Sequence, residues 1–284
     1  MPELPEVERV RRALQPVMEG ARFVEVVARR PDLRRALPRR FAARLTGQIV
    51  GRLDRRGKYL VAELASGDVL LMHLGMSGSF RIDGTGAAVP LVTYYKRNAA
   101  LAHDHIVFRM SSGAVVTFND PRRFGSMDLV DAGALAAHRA VGTLGPEPLD
   151  ASFTAAHLAR ACHRRKVTVK AALMDQRVVA GLGNIYVCDA LHVARLSPKR
   201  RASTIATHSG APRDAAARLT RAVKSIVQRA VDRGQSAAVS ESQDGDDRFR
   251  VYGREGRACP RRGCRGTIRR IVQSGRSTFF CPLC

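Results

Sequence analysis

The chain has 284 residues, in which 48 lysines and arginines outnumber 25 aspartates and glutamates, for a formal net charge of +23. A charge of this size favours a polyanionic partner, above all nucleic acid, over a merely solvated basic surface, because self-repulsion opposes compaction. No apolar run approaches the ~20 residues that span a bilayer, and no signal-peptide core follows Met1. We therefore expect a soluble cytoplasmic protein with no membrane partner.

The chain opens MPELPEVE, an acidic and proline-rich start for so basic a protein. Pro5 and Glu6 suit the first turn of a helix. Apolar residues then recur at helical spacing: Val7, Val10, Leu14 and Val17. We expect a short exposed arm that leads into a helix.

Between residues 20 and 131 the pattern changes to short β-rich runs: ARFVEVVA, KYLVAEL, DVLLMHL, HIVFRM, AVVTF and SMDLV. Only SSG separates HIVFRM from AVVTF, which predicts a tight hairpin. Many short strands punctuated by turn residues indicate an antiparallel sandwich or barrel.

After residues 144–150, LGPEPLD, the pattern becomes helical. Residues 213–233 carry an apolar stripe at helical spacing, typical of a core helix. Its members are Leu219, Ala222, Val223, Ile226, Val227, Ala230 and Val231. Residues 234–248, GQSAAVSESQDGDDR, are small and polar and predict a mobile loop.

Four of the six cysteines crowd into the last 26 residues as two pairs, CPRRGC and CPLC. Sixteen residues separate the pairs, so both can close a tetrahedral thiolate shell around Zn²⁺ on a β-hairpin. The ligands would be Cys259, Cys264, Cys281 and Cys284. Two disulfides are the alternative, which a cytosolic chain disfavours. Four protein ligands leave no open position, so we expect one structural zinc ion.

In VVAGLGNIYVCDAL, two glycines lead into a helical pattern. The backbone amides of such a helix start attract an anion, and Asn184 adds a side-chain donor. A helix start that simply turns on glycine explains the same residues. In a chain of this charge, we favour a DNA phosphate as the ligand.

Removal of Met1 would leave Pro2 at the amino terminus. An α-amino group titrates near pH 8, so a useful fraction is unprotonated and nucleophilic at neutral pH. Attack on an electrophilic sugar carbon would give an iminium intermediate, with Glu3 supplying or removing protons and Glu6 holding the arm. An acidic helix cap is the alternative explanation of these glutamates.

Seven motifs in this order resemble those of the formamidopyrimidine-DNA glycosylase family: MPELPEVE, RRGKYL, HLGMSG, NDPRRFG, GPEPL, GLGNIY and the cysteine ribbon. The resemblance covers nearly the whole chain and implies an α+β multidomain fold. Its parts would be a β-sandwich with a leading helix at 1–131, a linker at 132–150, a helix-two-turn-helix domain at 151–248 and a zinc ribbon at 249–284.

The resemblance also implies a bifunctional enzyme that removes oxidised purines, such as 8-oxoguanine, and then cleaves the strand. Pro2 would attack C1′, Glu3 would act in proton transfer, Lys58 would serve near the lesion and in β-elimination, and Arg276 would serve in δ-elimination. Met76, Arg122 and Phe124 match residues that enter the duplex when the damaged nucleotide is flipped out. Further DNA contacts would come from His103, Lys166 and Asn184.

The match is weakest at the lesion loop, residues 234–248, where relatives carry aromatics and residues 234–247 have none. A preference for oxidised pyrimidines or abasic sites therefore stays open, as does a damaged-DNA-binding protein without catalysis. The expected partner is damaged double-stranded DNA, with no obligate protein partner. The expected location is the bacterial cytoplasm, at the nucleoid.

Overall fold

The structure is a computed structural model that describes residues 2–84, the backbone of 89–92, and residues 100–233 and 249–284. The expected lesion loop, 234–248, lies outside these residues. The chain divides into two compact units, Met1–Gly142 and Thr143–Cys284. This division falls within the expected linker, and the finer domain limits stay a prediction.

The first unit is an antiparallel β-sandwich with a leading helix, as expected. The helix is α1, Leu4–Met18, and a short α2 spans Phe41–Leu45. The strands are β1 Phe23–Ala28, β2 Val50–Arg56, β3 Tyr59–Leu64, β4 Val69–His73, β5 Ser79–Asp83, β6 Val89–Val92, β7 Asp104–Met110, β8 Val115–Asn119 and β9 Ser126–Val130. One sheet has the order β1-β7-β8-β5-β6 and the other β2-β3-β4-β9.

The six β-rich runs are confirmed as strands β1, β3, β4, β7, β8 and β9, and the hairpin between β7 and β8 is confirmed. Three strands have no counterpart among those runs. Strand β2 reads VGRLDRR, and only Val50 and Leu53 are buried, because its charged side chains point away from the core. Strand β5 reads SFRID, in which serine, arginine and aspartate leave only two apolar residues, and β6 has only four residues.

Helix α1 begins earlier than the apolar pattern indicates, and the expected exposed arm is wrong. Pro2 is buried, Glu3 is 3 % exposed and Leu4 is 1 % exposed. The helix already starts at Leu4, which is buried, and Val7 and Val10 pack into the core of this unit. Burial of this segment fixes the residues next to the amino terminus.

The second unit begins with four helices: α3 Ala155–Cys162, α4 Val169–Met174, α5 Asn184–Val193 and α6 Asp214–Arg233. The apolar stripe predicted on α6 is buried along its length. Helix α5 has Gly183 as its N-cap and begins at Asn184, which confirms a helix start directly after the two glycines of GLGN. Cys162 and Cys188, which lie outside the carboxy-terminal cluster, are both buried.

The unit ends in a two-stranded antiparallel ribbon, β10 Arg269–Gln273 and β11 Arg276–Phe280. The turn between the strands is formed by Ser274 and Gly275, both with positive φ, as a tight hairpin of this twist requires. Across the described parts of the chain, no helix is long and apolar enough to cross a membrane.

Candidate active site and zinc centre

The residues that follow the amino terminus are held by a capping box at the start of α1. Glu3 is the N-cap, and the Glu6 carboxylate accepts a hydrogen bond from the Glu3 backbone N–H at 2.8 Å. The Glu3 carboxylate in turn accepts from the backbone of Glu6. The acidic cap considered as an alternative is therefore present, and it fixes the Glu3 carboxylate at the first turn of α1.

A partly buried ion pair links helix α1 to the turn that carries Lys58. The Arg55 guanidinium lies 3.2 Å from the Glu8 carboxylate and donates to the Gly57 carbonyl at 3.0 Å. Both side chains of the pair are only 13 % exposed. Burial opposes ionisation of Glu8, but its bonds to Arg11 and Arg12 and the charge of Arg55 hold its pKa below the usual value. The amino-terminal helix and the Lys58 turn are thus fixed to each other.

Lys58 itself is 7 % exposed, so it does not extend into open water as most strand-end lysines do. It follows Gly57, whose φ of 59° is left-handed, in the turn between β2 and β3. Burial lowers the pKa of His73 to about 4, and the positive charges of Lys58 and Arg34 act in the same direction. The His73 ring packs on Tyr59, with ring centroids 4.7 Å apart. Lys58 and His73 therefore belong to one local environment, in which His73 is neutral at pH 7.

Two neighbouring turns present the side chains expected to enter DNA. Met76, between β4 and β5, is 39 % exposed, and Phe124, between β8 and β9, is 40 % exposed. The guanidinium carbon of Arg122 lies 4.6 Å from the centroid of the Phe124 ring, a cation–π arrangement. Neither Met76 nor Phe124 is a core residue, so both side chains are accessible to a ligand.

The backbones of these two turns touch, and glycine makes the approach possible. A Cβ on Gly75, which has a φ of +63°, would lie 2.2 Å from the carbonyl carbon of Phe124. A Cβ on Gly125 would lie 2.7 Å from the Phe118 ring. The glycines of HLGMSG and NDPRRFG therefore allow Met76 and Phe124 to project from one compact surface.

His103 ends the 3₁₀ turn Leu101–His103 and is half-buried. Its carbonyl accepts a hydrogen bond from the Asp120 backbone N–H at 3.0 Å, which places it beside the turn that carries Arg122. Four of the six expected DNA contacts, Met76, His103, Arg122 and Phe124, thus lie in this part of the first unit.

In the second unit, contacts between α5 and the ribbon bring Asn184 close to the strand that begins with Arg276. The Asn184 side-chain amide donates to the Ser277 carbonyl at 2.7 Å, which leaves its second amide hydrogen for another acceptor. Arg276 is exposed at the first position of β11. Lys166 is exposed between α3 and α4. The structure thus places Asn184 against β11, the strand that Arg276 begins, and it shows no contact of Lys166 with either residue.

The four carboxy-terminal cysteines fit a tetrahedral zinc site. Their Sγ atoms all lie within 4.8 Å of one another. The separations are 3.7 Å for Cys259 and Cys284, 3.7 Å for Cys264 and Cys281, and 3.4 Å for Cys264 and Cys284. Four thiolates at ~2.3 Å from Zn²⁺ would be about 3.8 Å apart, whereas a disulfide requires ~2.05 Å. The spacing supports zinc and excludes the disulfide alternative.

The zinc ligands are also supported from outside the ribbon. The Nε2 atom of His192, on α5, lies 3.3 Å from the Cys259 Sγ, and Arg261 donates to the His192 carbonyl at 2.5 Å. A Cβ on Gly266 would lie 2.5 Å from the Cys281 Sγ, so only glycine fits behind the cluster. With four thiolates bound, zinc supplies rigidity and no chemistry of its own.

Several residues that shape these sites were not singled out from the sequence. Arg55, His73 and Asp120 lie inside the quoted motifs or beside them, but their contacts are with residues distant in sequence. Lys170 is the clearest case: it is 2 % exposed and donates to the Thr278 hydroxyl at 2.6 Å. The sequence did offer a signal for the burial of this lysine: it directly follows Val169 in a short helix whose other residues are apolar.

Family models match the chain in three parts. Residues 1–127 match the formamidopyrimidine-DNA glycosylase N-terminal domain, 144–242 match the H2TH domain of the same enzymes, and 256–284 match a zinc finger found in FPG and IleRS. A formamidopyrimidine-DNA glycosylase of Rhodopseudomonas palustris (strain BisB18) is 56% identical over 291 residues, which cover 100% of this chain and 99% of the relative. The Bradyrhizobium diazoefficiens enzyme is 55% identical with the same coverage.

Solved structures give the same result. The MutM (Fpg) protein of Thermus thermophilus is 36% identical, with a TM-score of 0.78 over 99% of this chain and 97% of that one. The Lactococcus lactis formamidopyrimidine DNA glycosylase bound to DNA with an AP site is 29% identical, with a TM-score of 0.81 over 99% and 98% of the two chains.

The β-sandwich, the helical unit and the four-cysteine ribbon are each matched by a domain of the same enzymes, so the class of protein is a DNA glycosylase. The chain belongs to the formamidopyrimidine-DNA glycosylase family. It is therefore a DNA glycosylase with AP lyase activity that acts on damaged DNA in base-excision repair, and it carries one structural zinc ion.

Proposed function

We propose that Pro2 is the nucleophile of this enzyme and that Glu3 transfers protons at the sugar, in the removal of oxidised purines such as 8-oxoguanine and formamidopyrimidines. One observation carries the assignment of the site: the Glu8–Arg55 ion pair and the bond from Arg55 to Gly57 fix the Pro2 segment relative to the Lys58 turn. The reaction is faster when the groups that act on one sugar are already held in position.

The proposed reaction begins once Met1 has been removed and the Pro2 nitrogen is a secondary amine. Its lone pair forms a bond to C1′ of the damaged nucleotide, the glycosidic bond breaks, and the base leaves with the electron pair and a proton. The Pro2 nitrogen, having lost its proton, then displaces O4′ from C1′, and O4′ takes up a proton from Glu3. The ring-opened sugar is then held as an iminium ion on Pro2. Loss of a C2′ proton expels the 3′ phosphate, a second elimination expels the 5′ phosphate, and water releases Pro2.

Lys58 and Arg276 are proposed to assist the eliminations, Lys58 near the lesion and in the first step, Arg276 in the second. The burial of Lys58 supports a role close to the reacting sugar rather than in solvent. The exposed guanidinium of Arg276 can stabilise the charge on a departing phosphate through paired N–H donors.

We propose that Met76, Arg122 and Phe124 fill the gap left in the duplex when the damaged nucleotide is flipped out. Their exposure and the stacking of Arg122 on Phe124 support this role, because an apolar wedge and a flat cation replace base-stacking area. His103, Lys166 and Asn184 are proposed to contact the DNA backbone, where cations and amide donors meet phosphate oxygens.

A preference for oxidised pyrimidines or abasic sites is the second candidate. It is favoured by the absence of aromatic residues from 234–247, the segment that the family resemblance predicts to be the lesion loop. The Lactococcus lactis relative, 29% identical, has been solved in complex with DNA containing an oxidised pyrimidine. We also propose that the enzyme works in the bacterial cytoplasm, where its basic charge holds it to the nucleoid.

The substrate assignment is tested by single-turnover cleavage of three matched duplexes, containing 8-oxoguanine opposite cytosine, an oxidised pyrimidine, or an abasic site. The proposal predicts that the oxidised purine is excised at least ~10-fold faster than the oxidised pyrimidine, a difference of ~1.4 kcal/mol in barrier. The product should be a one-nucleotide gap with phosphates at both ends. Faster excision of the pyrimidine would support the second candidate.

A further inference from the structure

Asp120, in the motif NDPRRFG, is a fully buried carboxylate that takes no part in the proposed chemistry. It is 0 % exposed and immediately follows β8. Within the described residues, no lysine, arginine or histidine forms an ion pair with its side chain. Burial of a carboxylate costs free energy unless its oxygens accept hydrogen bonds. The hydrogen-bond donors to Asp120 therefore indicate its role.

Both partners belong to the two turns that carry the duplex-entering side chains. The Ser77 hydroxyl donates to Oδ1 of Asp120 at 2.5 Å, and the Gly125 backbone N–H donates to Oδ2 at 2.7 Å. Ser77 is adjacent to Met76 and Gly125 is adjacent to Phe124. One carboxylate therefore joins the Met76 turn to the Phe124 turn.

Further hydrogen bonds hold Ser77 and the backbone of Asp120 in place. The Ser77 hydroxyl also accepts from the Arg122 backbone N–H at 3.3 Å. The Asp120 carbonyl accepts from the Arg123 backbone N–H at 3.1 Å and lies 2.9 Å from Nε2 of the buried His105. Arg123 has a φ of 53°, which is costly for a residue other than glycine and is maintained by these bonds.

We infer that Asp120 is a positioning residue that locks the two turns into one rigid element, so that Met76, Arg122 and Phe124 enter the duplex together. Only a carboxylate offers two acceptor oxygens to a hydroxyl and a backbone N–H at once. Without it, each turn must be ordered during entry into the duplex, and that entropy cost is added to the barrier for flipping. The inference rests on the proposed function of these three side chains.

The test uses Asp120→Asn, which keeps the size of the side chain but replaces one acceptor by a donor, and Ser77→Ala, which removes one of the two partners. The matched control is Val116→Ala, a buried substitution in β8 that lowers stability without touching either turn. Each zinc-loaded protein is tested on two substrates: a duplex with 8-oxoguanine opposite cytosine and a single-stranded oligonucleotide with an abasic site.

On the duplex, we expect Asp120→Asn and Ser77→Ala to slow single-turnover excision by about tenfold or more, equivalent to ~1.4 kcal/mol in barrier. Schiff-base trapping on the single strand should stay within about twofold of wild type, because no duplex has to be entered there. The Val116→Ala control should leave both rates within about twofold. Fluorescence of 2-aminopurine beside the lesion should rise more slowly in the two turn variants.

A double-mutant cycle with Met76→Ala distinguishes a positioning role of Asp120 from a general disturbance of the protein structure. If Asp120 acts through the wedge, the double variant Met76→Ala/Asp120→Asn is impaired less than the two single effects combined. Excision at the wild-type rate by both turn variants, an equal loss on duplex and single strand, or fully additive effects would each overturn the inference. Failure of the wild-type enzyme to excise the base or trap either substrate would instead refute the proposed function.

Discussion

The ammonium group of Lys170 on α4 donates a hydrogen bond to the hydroxyl of Thr278 on β11 at 2.6 Å, and both residues are almost completely buried. Burial lowers the pKa of Lys170, and the nearby positive charge of Arg276 acts in the same direction. This contact joins the helices to the strand that carries Arg276, beside the bond from Asn184 to Ser277.

Replacing Thr278 by Val should cost about 2–3 kcal/mol of unfolding free energy, because a buried ammonium loses its acceptor. Thr278→Ser, which keeps the hydroxyl, should cost less than about 1 kcal/mol. Urea unfolding of the zinc-loaded proteins measures both values. Equal losses in the two variants would show that the hydroxyl does not stabilise the Lys170 ammonium.

His73 should make the stability of the protein depend on pH. Its pKa of about 4 lies below the ordinary value of 6.5 because of burial and the charges of Lys58 and Arg34. The unfolded chain therefore binds more protons between these two values, so the stability is complete above pH 6.5 and is lost as pH falls towards 4. The loss is at most ~3.4 kcal/mol.

The measurement is the difference in unfolding free energy between wild type and His73→Asn at pH values from 7.5 to 4. Asparagine cannot take up a proton, so the advantage of wild type should shrink as the pH falls. Acid release of zinc affects both proteins and cancels in the difference. A difference that does not change with pH would contradict the assignment of a neutral, buried His73.

Gly75→Ala should destabilise the protein and displace the Phe124 turn. Its Cβ would lie 2.2 Å from the Phe124 carbonyl carbon, in addition to the strain of a left-handed φ. Gly113 is the matched control, because it has a φ of +85° and a methyl group added there would have no atom within 4 Å. Gly113→Ala should cost ~1 kcal/mol and Gly75→Ala about 1–3 kcal/mol more. Thermal and urea unfolding compare the two, and equal costs would disprove the close contact.

Removal of zinc should abolish duplex binding by disordering the ribbon that carries Arg276. Cys281→Ala should purify without its one equivalent of zinc, whereas Cys162→Ala, at a buried free cysteine outside the cluster, should retain it. Metal analysis and binding to an abasic-site duplex report the two effects. Full duplex affinity in a zinc-free Cys281→Ala protein would contradict this role.

Patterns that repeat along the chain could be predicted from the sequence. The stripe on α6 and the apolar positions of α1 follow from helical periodicity, and the zinc ligands follow from the spacing of two cysteine pairs. Strand β2 was missed because its arginines and aspartate interrupt the alternation of apolar residues.

The contacts that position the site residues could not be predicted from such patterns. Ser77 and Asp120 are 43 positions apart, and Lys170 and Thr278 are 108 apart. No local pattern marks such pairs, because the fold alone decides which polar groups meet. The burial of Pro2 and Glu3 was likewise missed, since three glutamates and two prolines among the first eight residues suggest an exposed arm.

The most direct test of the whole account is borohydride trapping of the enzyme on two duplexes, one with 8-oxoguanine opposite cytosine and one with an abasic site, followed by peptide mapping. The account predicts a covalent adduct with both duplexes, located on Pro2, lost in Pro2→Gly and retained in Pro5→Ala, which keeps the terminal proline. An adduct located on another residue, or trapping undiminished in Pro2→Gly, would contradict the central role of Pro2.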